Sequence, residues 1–291
     1  KKGLIYEGRR VLMYCPRCET PVSKAEVAMD NSYKEVNDES VIVSFPITDK
    51  KFIKDKCFGR NTSFVAWTTT PWSIPTTMGL AIGLDFDYVI VKVGDNQIIC
   101  AKKRLEYAIN HLSPEKFEVV KELKGKEIIN VPYKHPFHEY FSHPEVANNS
   151  RVYKTHATDY VSIEEGTGIV TINGAFGEID YESAQKFNLR VFVNLTADGR
   201  YDSMMGSLAG HHVKSAEKPH ETDIAIIKIL DERGALWRRE IYRHPYPHCW
   251  RCENPLIYRA IPAWFMNIQE IRPLAVKLNE KIEWYPENLK N

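Results

Sequence analysis

The sequence predicts a mainly β chain with some helix (α+β): a β-barrel-like domain carried on a stem formed by both chain ends. Three observations lead there. Short runs rich in Val, Ile, Phe and Tyr recur between Lys34 and about Arg200, most of them separated by Gly, Asn, Asp or Pro. Helical patterning is confined to a few short segments. Two Cys-x-x-Cys pairs stand near opposite ends of the chain.

The elements follow in order. Residues 1–33 read as short segments around the first cysteine pair, closing at the turn signal Asp30-Asn31. Strands are expected at Val41–Phe45, Ser63–Thr68, Tyr88–Val93, Gln97–Ala101, Phe117–Leu123, Gly168–Ile172 and Val191–Leu195. Many short strands with irregular connections suggest a barrel or sandwich. Helices are expected at Leu105–Leu112, at Tyr181–Phe187 behind Asp180, at Thr222–Arg233 with Gly234 as its stop, and at Ile268–Lys281. The expected division is residues 1–33 as the first half of the stem, 34–240 as the β-rich domain, and 241–291 as the second half of the stem with a return helix.

Composition narrows the function classes. The chain has 291 residues, 43% hydrophobic and 26% charged. These values allow a real core and argue against disorder, collagen and coiled coil. No apolar run approaches the ~18 residues of a membrane span. A net charge of +1 argues against a protein that coats nucleic acid, so any RNA contact would be local. The chain opens on Lys1 without a signal peptide, which reads as a processed chain or a piece of a longer one.

Cys15 and Cys18 flank Pro-Arg, and Cys249 and Cys252 flank Trp-Arg; Cys57 and Cys100 stand alone. Each pair makes a tight turn that aims two sulfurs at one point. Four thiolates are the donor set of a structural zinc site, with no position left for water. If the pairs share one metal, the long segment between them is an insertion clamped at its base. Two separate sites, two redox dithiols or two disulfides are the alternatives. His248, beside Cys249, is a possible substitute ligand or a surface histidine.

The middle carries two local signals. In Trp67-Thr68-Thr69-Thr70-Pro71-Trp72-Ser73-Ile74-Pro75-Thr76-Thr77 a strand runs into three threonines and a proline, which biases Thr70 to extended geometry. The bend exposes uncharged hydroxyls between two large aromatics, suited to a ribose or an ester. A β-edge with threonines chosen for strand propensity is the alternative. In Glu164–Tyr181 a strand bracketed by glycines, Gly168 among them, leads to Asp180. Glycines let a ligand approach closely, and a carboxylate there could bind an ammonium group; a plain helix cap is the alternative. His135, His138, His143, His156, His211 and His212 lack metal-motif spacing and read as surface or loop residues. Arg238, Arg239, Arg243, His244 and Arg251 read as a phosphate-facing patch or as a solvated face.

Taken together, WTTTPWSIP (67–75), EGTGIV (165–170), AFGEIDY (175–181) and YPHCWRCENPLIYRA (246–260) resemble the isoleucyl-tRNA synthetases, in the large connective insertion that carries their editing domain. Residues 1–29 are similar to the chain entering that insertion. Trp264-Phe265 through Trp284-Tyr285-Pro286-Glu287 are similar to the chain leaving it. Valyl and leucyl relatives typically place an arginine after the paired threonines, where this chain has Thr70-Pro71-Trp72. The synthetic signatures HIGH and KMSKS are absent from the chain. Amino-acid activation is therefore not expected, and ATP and Mg belong to the synthetic domain.

The resemblance implies a cytoplasmic editing domain on a zinc stem, with no membrane contact. It would hydrolyse valyl-tRNA(Ile) and valyl-adenylate, with the tRNA(Ile) acceptor end and the rest of the parent synthetase as partners. It also implies roles. Asp180 would bind the α-ammonium of the misattached amino acid. Thr68, Thr69 and Thr70 would contact the terminal adenosine and position a water. Trp72 would form a wall, and Thr77, Gly168 and Thr171 would lie on the substrate. Cys15, Cys18, Cys249 and Cys252 would hold the zinc. Two positions depart from the family: Thr171 stands where a histidine is usual, and Thr77 where an asparagine is common. They motivate the alternative of a non-catalytic module for the tRNA acceptor end.

Overall fold

The computed structural model describes residues 3–28, 32–55, 59, 61–113, 116–141, 146 and 148–290. The expected turn at Asp30-Asn31, Cys57 and His143 lie outside the described residues. The chain divides into two compact units, Lys1–Arg10 with Ile261–Asn291, and Val11–Ala260.

In the larger unit a six-stranded sheet has the order β11-β3-β4-β7-β6-β8, formed by Leu236–Pro247 (β11), Tyr33–Pro46 (β3), Thr62–Thr68 (β4), Asn96–Ala101 (β7), Asp87–Val93 (β6) and Phe117–Lys124 (β8). All pairs are antiparallel except β4 with β7. A second sheet has the order β10-β5-β9, with Gly79–Gly83 (β5) between Ile169–Ile172 (β10) and Lys154–Thr158 (β9). A third has the order β12-β1-β2, from Ile257–Met266 (β12), Ile5–Cys15 (β1) and Thr20–Val22 (β2). The expected mainly β architecture is present, but among the described residues these sheets are open and none closes into a barrel.

Two of the hydrophobic clusters among the described residues back these sheets. Helix α3, Leu105–Ile109, lays Ala108 and Ile109 over Ile42, Val65, Val89, Val91 and Ile98 of the large sheet. The second core joins Met78, Ala81 and Ile172 to Ala184 of helix α4, Glu178–Phe187, and to Leu189 and Phe192. The short helices α1, Lys24–Ala28, and α2, Lys50–Asp55, lie earlier in the chain. Helix α5, Glu221–Glu232, buries Ile226, Ile227 and Leu230 and ends at Gly234 with φ +64°, the left-handed conformation that suits glycine after a helix.

The smaller unit contains the outer parts of β1 and β12 and helix α6, Ile268–Asn279. Within it Tyr6 stacks on Phe265 with ring centroids 5.6 Å apart, and Asn267 N–H donates to the Leu4 carbonyl at 2.7 Å.

Six expected strands are present, with ends shifted by a residue or more. The seventh, Val191–Leu195, forms only an isolated bridge from Leu195 to Tyr201. At the end of this run the Leu195 and Thr196 carbonyls accept from the Arg259 guanidinium. Strands β1, β2, β5, β9, β11 and β12 were not expected. β11 reads as charged and carries two prolines, yet it is an edge strand, where proline is tolerated. Cross-strand diagonal pairs Arg239–Glu39 and Arg243–Glu35 stabilise it.

Candidate active site and candidate metal centre

A hydrogen-bonded, tightly packed turn begins the site. At the end of β4, Thr70 N–H donates to Thr68 Oγ1 at 3.1 Å. The Thr68 and Thr70 hydroxyls lie 3.1 Å apart, and the Thr70 and Ser73 hydroxyls 3.0 Å apart. The chain then enters a 3-10 turn, Pro71–Thr76, that is buried throughout. Trp72 is fixed from both sides of its peptide: its N–H donates to Asp223 Oδ1 at 2.9 Å, and its carbonyl accepts from the Tyr201 hydroxyl. Its ring meets Phe176 edge-on at 4.8 Å.

The opposite wall is β10 and the start of α4. Gly168 precedes β10 at φ +73°, and a Cβ there would lie 2.3 Å from the Ala101 methyl. Only glycine fits both the conformation and the space. Tyr88 donates to the Gly168 carbonyl at 2.9 Å. Gly177 caps α4, so Asp180 is not the cap; it sits in the first helical turn. Its Oδ2 accepts the Asn173 backbone N–H at 3.0 Å. Burial pushes the Asp180 carboxyl up to about 6, opposed by that hydrogen bond.

Between these walls lies a cavity of about 470 Å³. Thr68, Thr69, Thr70, Trp72, Gly168, Thr171 and Asp180 all line it. Thr77 does not; it is fully buried, with its hydroxyl unpartnered among the described residues. The lining also includes residues that sequence reasoning did not single out: Ser73, Tyr160, Asn173, Phe176 and Tyr258. Ser73 and Phe176 lay inside the quoted motifs 67–75 and 175–181, and Asn173 before Gly174 read as a turn residue. A carboxylate, a run of hydroxyls and aromatic walls in one cavity can hold an ammonium group, polar oxygens and a small apolar side chain together.

The two cysteine pairs converge. The sulfurs of Cys15, Cys18, Cys249 and Cys252 lie within 4.8 Å of one another, with Cys15 and Cys252 3.4 Å apart. All four are free thiols. Their convergence overturns the reading of two separate sites. A tetrahedral zinc with Zn–S of about 2.3 Å requires sulfurs roughly 3.8 Å apart, so the cluster fits one such ion. Met13, Val22, Val27 and Leu256 pack around it.

Comparison with known proteins decides the family. The family model for tRNA synthetases class I (I, L, M and V) matches residues 1–291. The chain belongs to the class I tRNA synthetases. It is 34% identical over 310 residues to an isoleucine–tRNA ligase of Treponema pallidum (strain Nichols), covering all of this chain and 28% of that protein. It is 36% identical over 291 residues to isoleucine–tRNA ligase 2 of Bacillus cereus (strain ATCC 14579), covering all of this chain and 26% of that protein. The chain thus spans under a third of the length of these curated relatives. It also has a partial likeness to the solved editing domain of P. falciparum cytosolic leucyl-tRNA synthetase, at 11% identity and a TM-score of 0.38 over 52% of this chain and 67% of that one.

The remaining candidates of this synthetase chain fall away from the cavity. His135 and His156 are core residues rather than surface ones; burial pushes His135 down to about 3, and His156 Nε2 donates to the Arg151 carbonyl at 3.0 Å. His248 is buried, with Nδ1 2.9 Å from the Tyr246 carbonyl, outside the thiol cluster. The basic stretch is not an open phosphate patch. Arg238, Arg239, Arg243, His244 and Arg251 face Glu240, Glu39, Glu35, Asp38 and Glu26. Among the described residues no helix is long and apolar enough to cross a membrane.

Proposed function

We propose that this chain is the editing part of an isoleucine–tRNA ligase and hydrolyses valine misattached to tRNA(Ile), and valyl-adenylate. One observation carries the reading: the Asp180 carboxylate and the Thr68–Thr70 hydroxyls line the same cavity as Trp72. The parent enzyme must reject valine, which is smaller than isoleucine by one methylene. One methylene gives only about 1–3 kcal/mol of discrimination, a value already established on this family of enzymes. A second, smaller cavity removes what the first admits.

Asp180, ionised, pairs with the α-ammonium and fixes the amino acid. Trp72 and Phe176 bound the side chain. The threonine hydroxyls hold the terminal ribose and a water near the ester carbon. The water oxygen attacks the carbonyl carbon, the ester C–O bond breaks, and the ribose oxygen takes a proton. The ester is already activated, so positioning and polarisation suffice. The four thiolates hold a structural zinc at the base of the inserted domain, which leaves residues 1–33 and 241–291 as a stem and 34–240 as the editing body. The tRNA(Ile) acceptor end and the rest of the synthetase are the partners, in the cytoplasm.

Thr171, lining the cavity where the family usually has histidine, favours one second reading: a module that binds the acceptor end without hydrolysis. Hydrolysis of valyl-tRNA(Ile) by the chain separates them. The editing reading expects valine release with isoleucyl-tRNA(Ile) spared; binding without release would establish the second reading.

A further inference from the structure

Asn173 touches both walls of the cavity. It follows β10, and its backbone N–H donates to Asp180 Oδ2 at 3.0 Å. Its carboxamide reaches the opposite wall, where Nδ2 donates to the Ser73 carbonyl at 2.6 Å and to Thr76 Oγ1 at 2.8 Å. Oδ1 accepts the Ala175 N–H at 3.2 Å, so the side chain cannot swing away from this arrangement. Every polar group of the residue that faces the site is therefore engaged.

The partners are buried, with Asn173 3%, Ser73 6% and Thr76 2% exposed. Water cannot replace a lost partner there, and a buried polar group left unpaired is costly. From Ser73 the connection continues to the Thr70 hydroxyl at 3.0 Å and from there to the Thr68 hydroxyl at 3.1 Å. One residue, through its backbone N–H on one side and its carboxamide on the other, thus links the carboxylate to the threonine turn.

We propose that Asn173 is a positioning residue that sets the gap between Asp180 and the Thr68–Thr70 turn, and so the size of the amino-acid side chain the cavity admits. This rests on the editing reading above. Thr76 belongs to the same device as the acceptor on the turn side, and it does not itself line the cavity.

The test uses the 291-residue chain and two non-hydrolysable probes, the valyl and isoleucyl amides of 3′-amino-3′-deoxyadenosine, with affinities read by calorimetry and folding followed by Tm. Asn173→Asp keeps the shape and the Oδ1 acceptor but removes both donations. Thr76→Val removes one acceptor and leaves Asn173 in place. Wild type should prefer the valyl amide. Asn173→Asp should narrow that preference about tenfold, the scale of one methylene, and Thr76→Val should narrow it less. Asp180→Ala should weaken both probes alike and leave the ratio.

An unchanged ratio in both variants, with Asp180→Ala still weakening both probes, would overturn the role of Asn173 and leave the editing reading standing. If neither probe bound wild type, both would fall. Should Asn173→Asp not fold, Thr76→Val decides alone, and an unchanged ratio there overturns the proposal. A purely structural asparagine would lower Tm without moving the ratio.

Discussion

Asp223 Oδ1 accepts the backbone N–H of Trp72 at 2.9 Å, joining α5 to the turn that carries the cavity wall across 151 residues of sequence. Asp223 is 1% exposed, and its second oxygen has no partner among the described residues. Burial pushes its carboxyl up to about 7, tempered by the nearby Lys214 ammonium.

A carboxyl raised above its ordinary value near 4 stays protonated in the fold after the unfolded chain has released its proton. Its contribution to stability is therefore greatest at low pH and is lost as pH rises from about 4 through about 7. Asp223→Asn keeps the acceptor for Trp72 and should flatten stability over that window, as read by urea unfolding between pH 4.5 and 8. Asp223→Ala strands the Trp72 N–H and should cost about 1–3 kcal/mol at every pH. Equal pH slopes in wild type and Asp223→Asn would refute this assignment.

Asp180 has the same direction of shift, to about 6, for the same cause. Binding an ammonium requires its ionised form. The kcat/KM for a valyl ester should fall as pH drops through about 6, and Asp180→Asn should lose that limb together with about 100-fold of kcat/KM, the scale of a charge-assisted contact of ~3 kcal/mol. A limb that survives in Asp180→Asn would assign it to another group.

Removal of the metal should act where the four sulfurs meet. Chelation, or Cys252→Ser, should release one equivalent of zinc and lower stability by at least about 3 kcal/mol, with hydrogen exchange rising first around Met13, Val22 and Leu256, which pack on the cluster. Retention of full stability without metal would argue that packing alone holds this region.

Gly168 gives a steric test independent of chemistry. With φ +73° and a Cβ position 2.3 Å from Ala101, Gly168→Ala must move β10 or the end of β7. A loss of about 2–3 kcal/mol is expected from strain and overlap together. A neutral result in chemical denaturation would mean the backbone there relaxes freely.

Much of the site was legible in sequence because its chemistry is carried by contiguous residue types. Trp67–Trp72 and Gly168–Asp180 hold the threonine run, Thr171, Asn173 and Asp180 of the lining, and each Cys-x-x-Cys turn fixes two sulfurs locally. What was not legible depends on distant partners. Asp223 is an ordinary helix residue until Trp72 docks on it. Arg239 reads as part of a patch because its glutamate, Glu39, is on another strand, and Arg238 because nothing in the sequence shows that Glu240, two residues on along β11, turns back to it. β5 hides behind its glycines, since Gly79 and Gly83 lower its strand propensity while making room for His156 and Phe86. β11 hides behind its charges, which pay off only across the ladder.

The central claim is that Asp180 and the threonine run form one hydrolytic pocket selective for valine. Single-turnover hydrolysis of valyl-tRNA(Ile) and isoleucyl-tRNA(Ile), by wild type and by Asp180→Ala, tests it most directly. The account predicts valine release by wild type, isoleucine spared, and at least a 100-fold loss in Asp180→Ala at unchanged Tm, the scale of a charge-assisted contact of ~3 kcal/mol. Equal hydrolysis of both esters, or full activity in folded Asp180→Ala, would contradict it.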